Sequence, residues 1–182
     1  DWVFGKLIYR KGVEIKDPSD IALLMLQTQR DGADLSVDGT GGWGSGVKSH
    51  LKKAHELECE SVVFSAGSTA RTKDGKLEYL NLRAQMYWQL REALDPEDGD
   101  DIALPPDPRL TAELTTPRYK VRGTKIQIED KDEIKKRVGS SPDASDAVVI
   151  AWLRRNAWAK KVAKKPNPKL ARPATGGTAW MT

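Results

Sequence analysis

Leu35 to Val47 reads LSVDGTGGWGSGV. A short apolar run delivers one carboxylate, Asp38, and glycine then occupies positions 39, 41, 42, 44 and 46. The pattern reads as a buried strand that stops at a turn. The following GSGVKSHLKKAHEL reads as a helix with Val47, Leu51, Ala54 and His55 on one side. ESVVFSAG (Glu60–Gly67) holds too few polar residues for an exposed edge and reads as another strand. Two strands joined by a helix are expected to be parallel, because a parallel pair needs a crossover connection. This unit commits the chain to an α/β fold.

The flanks fill in around it. WVFGKLIYR (Trp2–Arg10), a KG turn and VEI (Val13–Ile15) read as a β-hairpin. DPSDIALLMLQTQRDG opens with Asp17 as N-cap and Pro18 at the first helical position, and stops at Gly32. NLRAQMYWQLREAL is a helix with Leu82, Met86, Leu90 and Ala93 or Leu94 on one face, and DPEDGDDIALPPDP is a surface loop. RLTAELTTP is a short helix, RYKVRGTKIQIED a hairpin turning at Gly123, and KDEIKKRVG a short basic helix. SPDASDAVVIAWLRRNAWAKK is a long helix with Ser141 as N-cap and Pro142 at N1. The reading is one domain over residues 1–160 and a basic Pro/Gly-rich flexible tail over 161–182.

Composition removes several function classes. The chain of 182 residues has one cysteine and two histidines, so an internal disulfide and a thiolate-rich zinc site are excluded. No apolar run approaches the ~18 residues of a membrane span. Net charge is +4, with eight Lys/Arg and no acid from Arg154 onward, a distribution that suits a polyanion or simply a solvated tail.

Asp38 stands where α/β sheets bind ligands, beyond the carboxyl end of a strand, before glycines that let a ligand approach the backbone and a helix start that offers N–H groups. The plainer reading is a turn whose aspartate caps a helix. Asp143 and Asp146 lie at i and i+3 in SPDASDA. Acids there offset the helix dipole with no other role, but Asp146 leads directly into AVVIAW, which sets it at the rim of the core, where a carboxylate needs a base or a metal. A strand-end aspartate with a paired cluster on a late helix is hard-cation chemistry, suited to Mg2+ or Mn2+. Two such ions about 3.5–4 Å apart can clamp the attacking and leaving oxygens of a phosphodiester.

SVDGTGGWGSGVKSHL, NLRAQMYWQLREAL and the ordered stretch LTAELTTPRYKVRGTKIQIEDKDEIKKRVGSSPDASDA together resemble the C-terminal nuclease domain of the large terminase subunit of tailed bacteriophages, over about residues 1–155. The resemblance implies an RNase H-like (resolvase/integrase-type) fold, a mixed central sheet flanked by helices. It implies metal-dependent endonucleolytic cutting of concatemeric double-stranded viral DNA during packaging, with two Mg2+ or Mn2+ ions at three acidic positions. Asp38 would be the middle position; Asp143 and Asp146 would supply the last, with the choice between them open. The family's first acid lies on an opening strand ahead of a GDD-like turn, and the chain starts at Asp1. The expectation is therefore a sheet without its first strand and a site without its first ligand. Lys125, Lys131, Lys135, Lys136 and Arg137, with Arg83 from the preceding helix, would deliver DNA by phosphate contacts. Trp43 is expected to pack. The implied partners are double-stranded DNA, the terminase ATPase domain, the small terminase subunit and the portal protein, with no membrane, in the cytoplasm of an infected or lysogenic bacterial host. No G-x-x-x-x-G-K-[ST] occurs, so this chain should not hydrolyse ATP.

Two rival readings remain. One is a catalytically incomplete module of the same fold that docks DNA or the portal. The other is a small α/β nucleotide-binding protein with the glycine turn as phosphate cradle, ranked last because the turn after Asp38 is not read as a G-x-G-x-x-G fingerprint and no Walker lysine follows.

Overall fold

The expected strand–helix–strand unit around Asp38 is present. In the computed structural model, which describes residues 2–3, 7–30, 32–100 and 102–164, β2 (Leu35–Asp38) pairs in parallel with β3 (Cys59–Val62), with Leu35 opposite Cys59 and Asp38 opposite Val62. The connecting helix α2 (Trp43–His55) buries Val47 and Leu51. Ala54 and His55, expected on the same face, are exposed at the end of the helix, where Glu56 turns the chain left-handed. Ahead of the unit, α1 (Pro18–Thr28) starts as the sequence dictates: Asp17 accepts from the Ser19 N–H at 2.6 Å and Pro18 takes the first helical position. It lies against α2, and Ala22, Leu35, Val47, Leu51 and Cys59 form a small core of their own.

Among the described residues the expected N-terminal hairpin does not appear. β1 is Trp2–Val3 and pairs in parallel with β5 (Ile102–Ala103), inside the stretch read as a loop, while Gly12–Glu14 make one 3₁₀ turn. A two-residue strand gains little from its nearest neighbour in sequence; here its partner lies a hundred residues away.

The second half of the chain builds the larger core. β4 (Glu78–Tyr79) runs parallel to β7 (Lys125–Ile128), which pairs antiparallel with β6 (Tyr119–Arg122) around the turn at Gly123. Ile126 and Ile128 of β7 are buried, and β6 is exposed throughout as the edge strand. α3 (Leu82–Ala93) is capped by Asn81, which accepts from the Ala84 N–H at 2.9 Å. α4 (Pro108–Thr115) is capped by Asp107. α5 (Lys131–Val138) ends at Gly139 with φ 80°, and α6 (Asp143–Lys164) takes in the first four residues read as tail. The rest of the tail and Asp1 lie outside the described residues. Tyr79, Met86, Leu90, Leu110, Val149 and Trp152 knit β4, α3, α4 and α6 together.

The strands described form three small sheets, of two, two and three strands, rather than one continuous mixed sheet. Each strand is four residues or shorter, so helix packing rather than strand pairing holds the pieces in register. α3 and α6 pack on each other, and α6 also packs on β2. No described helix is long and apolar enough to cross a membrane.

Candidate active site

Asp38 ends β2. Its Oδ1 accepts the Thr40 N–H at 2.8 Å, an Asx turn that closes the strand. Gly41 and Gly42 follow with φ near 90°, a region side chains avoid. Gly44 serves a different need: a Cβ there would sit 2.1 Å from the Asp38 carbonyl oxygen. The first turn of α2 therefore lies directly on the backbone of Asp38, and the protein itself fills space that the sequence reading gave to a ligand. Trp43, expected to pack, is 51% exposed.

Asp143 and Asp146 sit in the first turn of α6. The Pro142 carbonyl accepts from the Asp146 N–H at 3.0 Å, so the helix begins one position later than the sequence suggests. Ser141 does not cap it; its hydroxyl donates to Asp143 Oδ1 at 2.9 Å. The cap comes from α4. Buried Glu113 accepts the N–H groups of Ala144 (2.6 Å) and Ser145 (3.2 Å) on Oε2, while its Oε1 takes Arg109 Nε at 2.7 Å. This carboxylate neutralises donors that the helix start cannot satisfy itself. No local pattern announces it.

One ammonium gathers the three acids. Lys131 Nζ lies 2.9 Å from Asp143 Oδ1, 3.1 Å from Asp146 Oδ2 and 4.0 Å from Asp38 Oδ2. Partial desolvation works against the Lys131 charge, but hydrogen bonding to Asp143 and the charges of Asp146 and Asp143 outweigh it and raise its pKa. Desolvation likewise pushes Asp143 up; hydrogen bonds from Lys131 and Ser141 and the Lys131 charge hold its pKa below the usual value. The acids differ in exposure: the side chains of Asp38 and Asp143 are 29% and 63% exposed, that of Asp146 only 4%.

Asp146 is buried by choice of partners. Its Oδ1 accepts from the Tyr87 hydroxyl at 2.7 Å and lies 3.3 Å from Arg83 Nη2. Its Oδ2 meets Lys131 as an ion pair but accepts no aligned hydrogen bond. Arg83 corrects the sequence reading. The expected phosphate contact does not fit its place: it is 4% exposed, stacked over the Tyr87 ring at 4.8 Å and near Phe64 at 5.6 Å. Its place on the repeat Arg83, Met86, Tyr87, Leu90 was the available signal. Lys131, also expected to contact phosphate, is drawn into the acids. Arg137 binds Glu129 (Nη2–Oε2, 2.6 Å) and the Thr116 carbonyl, so its fork is engaged on the surface. Lys125, Lys135 and Lys136 are exposed.

No protein-family model and no curated protein matches the sequence. Among solved structures, the nuclease domain of the large terminase subunit of bacterial virus Sf6 is similar, with TM-score 0.54 and 24% identity over 73% of this chain and 69% of that one. A lysine-to-alanine variant of that Sf6 domain with manganese aligns at the same score and identity, over 73% and 70%. A further variant structure, with calcium, aligns over 73% and 69%. The likeness is one of fold.

Contrary to the reading of the glycine turn above, Gly39, Gly41 and Gly44 do satisfy the order G-x-G-x-x-G between a strand and a helix. Two features oppose a dinucleotide. Asp38 and its two acidic neighbours face the place where a pyrophosphate would lie. The next strand runs out into Val63, Phe64 and Ser65, with no acid to hold a ribose.

Proposed function

We propose that the chain is a divalent-metal-dependent endonuclease domain of a phage DNA-packaging terminase, RNase H-like, cutting concatemeric double-stranded DNA. The observation that carries this reading is the convergence of Asp38, Asp143 and Asp146 on one cationic position, which the Lys131 ammonium takes in this structure. An all-oxygen, triply anionic donor set suits Mg2+ or Mn2+. Asp38, Asp143 and Asp146 would hold the metal, with two ions expected. A metal held by these residues would supply Lewis-acid chemistry, making a bound water nucleophilic and offsetting charge on the leaving oxygen of a phosphodiester.

The chain's own residues do the rest. Lys131 offsets the mutual repulsion of three acids that otherwise push one another apart. Exposed Lys125, Lys135 and Lys136 would contact phosphates without reading sequence, with Arg137 beside them. The ATPase domain, small subunit and portal protein are the corresponding partners, in the host cytoplasm.

A second reading has one observation in its favour. Among the described residues no three His, Cys, Asp or Glu side chains already stand in coordinating arrangement. That fits a module of the same fold that docks DNA or the portal without cutting.

Nicking of supercoiled plasmid with Mn2+, beside Asp38→Ala and Asp146→Ala, separates the two. Nicking by the parent that both variants lose supports the nuclease. DNA binding without nicking, together with no Mn2+ uptake by calorimetry, leaves the docking module.

A further inference from the structure

The two oxygens of Asp146 are treated differently, and the difference has chemical content. A carboxylate offers about four lone-pair directions, two on each oxygen. Those of Oδ1 face the Tyr87 hydroxyl at 2.7 Å and Arg83 Nη2 at 3.3 Å. Those of Oδ2 face the position of the Lys131 ammonium at 3.1 Å, a position that Asp143 (2.9 Å) and Asp38 (4.0 Å) also reach.

Tyr87 cannot easily turn away. Its single proton goes to Asp146, because a carboxylate only accepts. Its oxygen lies 2.7 Å from Ser145 Oγ, on the same helical turn as Asp146. Its ring is covered by the Arg83 guanidinium at 4.8 Å.

Metal ions differ in what they ask of such a carboxylate. Ca2+ takes roughly six to eight oxygens and accepts both oxygens of one carboxylate, whereas Mg2+ demands a near-octahedral shell that one oxygen per carboxylate suits. We propose that Tyr87, with Arg83, confines Asp146 to coordination through Oδ2 alone and thereby biases the site toward Mg2+ or Mn2+ against Ca2+. Both are positioning residues, acting through Asp146, and the inference rests on the functional reading above.

The test is calorimetric titration of the chain with Mn2+ alone and with Ca2+ alone, for the parent, Tyr87→Phe and Arg83→Met, with thermal unfolding of each and Asp146→Asn as the check that the heat comes from this site. Phenylalanine fills the same space and removes only the hydroxyl. The expected result is a fall of about tenfold in the ratio of the Ca2+ to the Mn2+ dissociation constant in Tyr87→Phe, in the range that loss of a ligand-orienting partner produces. Arg83→Met shifts the ratio the same way, and it decides alone if Tyr87→Phe does not fold. Equal weakening of both metals, or no change in the ratio, overturns the proposal, because a merely structural role moves both affinities together. A parent that takes up neither metal overturns the functional reading and this inference with it. A parent that binds Mn2+, with an unmoved ratio in the variants, overturns the inference alone.

Discussion

The helix that carries Asp146 and the turn that follows Asp38 meet at Lys131, yet they are held in different ways. On the α6 side Glu113 holds the helix start, Tyr87 and Arg83 hold Asp146, and a large core stands behind. On the β2 side one backbone N–H fixes the carboxylate, glycines make the turn, and the supporting core is small. A site built this way has one rigid wall and one adjustable wall. Ligand geometry is then set from α6, and Asp38 is free to follow.

The comparison breaks first through the small core. Leu51 is fully buried there, and Leu51→Ala is expected to cost about 2–5 kcal/mol. Urea unfolding should show that loss, and metal affinity should fall with it, because β2 loses its backing. On the rigid wall, Glu113→Ala strands two buried N–H groups and is expected to cost about 1–3 kcal/mol, read as a lower unfolding midpoint. Glu113→Gln, which keeps one acceptor, should recover part of it. Gly44→Ala is the matching change on the β2 side. Its Cβ meets the Asp38 carbonyl, and overpacking of this kind costs about 1–3 kcal/mol. Its signature is weaker Mn2+ binding with an unmoved Ca2+/Mn2+ ratio, because the Asp146 contacts are untouched.

Two smaller effects sharpen the contrast. Lys131 has a folded pKa above its ordinary 10.5, so its contribution is complete below that value and is lost as pH rises through the folded pKa. Asp143 has a folded pKa below its ordinary 3.8, so its contribution is complete above that value and is lost as pH falls through the folded pKa. Lys131→Met should therefore flatten both limbs of the stability–pH curve and lower the plateau between them, where the paired charges contribute in full. Cys59, in the small core, has its thiol pKa raised by burial. Its reaction with a disulfide reagent at neutral pH should be slow, and faster in Leu51→Ala than in Glu113→Ala if the β2 side opens by itself.

The sequence carried the parts that are local. Asp17–Pro18 and Gly123 announce a cap and a turn within a few residues of where they act, and each appears in place. The three carboxylates were legible because a strand end and a helix start are each short patterns. What escaped was set by distance along the chain. Glu113 acts 31 residues away, and the partner of Trp2–Val3 lies at Ile102–Ala103. Arg83 was misread for another reason: a cation was taken for a surface group although its helical spacing set it among apolar residues. Trp43 went the opposite way, an apolar residue turned outward by the glycines beside it.

The capping of α6 by Glu113 has a consequence for synthesis. The acids at 143 and 146 take their places only when α4 has already docked and the chain beyond residue 146 has emerged to extend the helix. Asp38, made more than a hundred residues earlier, waits as a solitary carboxylate on an unfinished sheet. Until the first turns of α6 have been made, the growing chain therefore carries no assembled cluster.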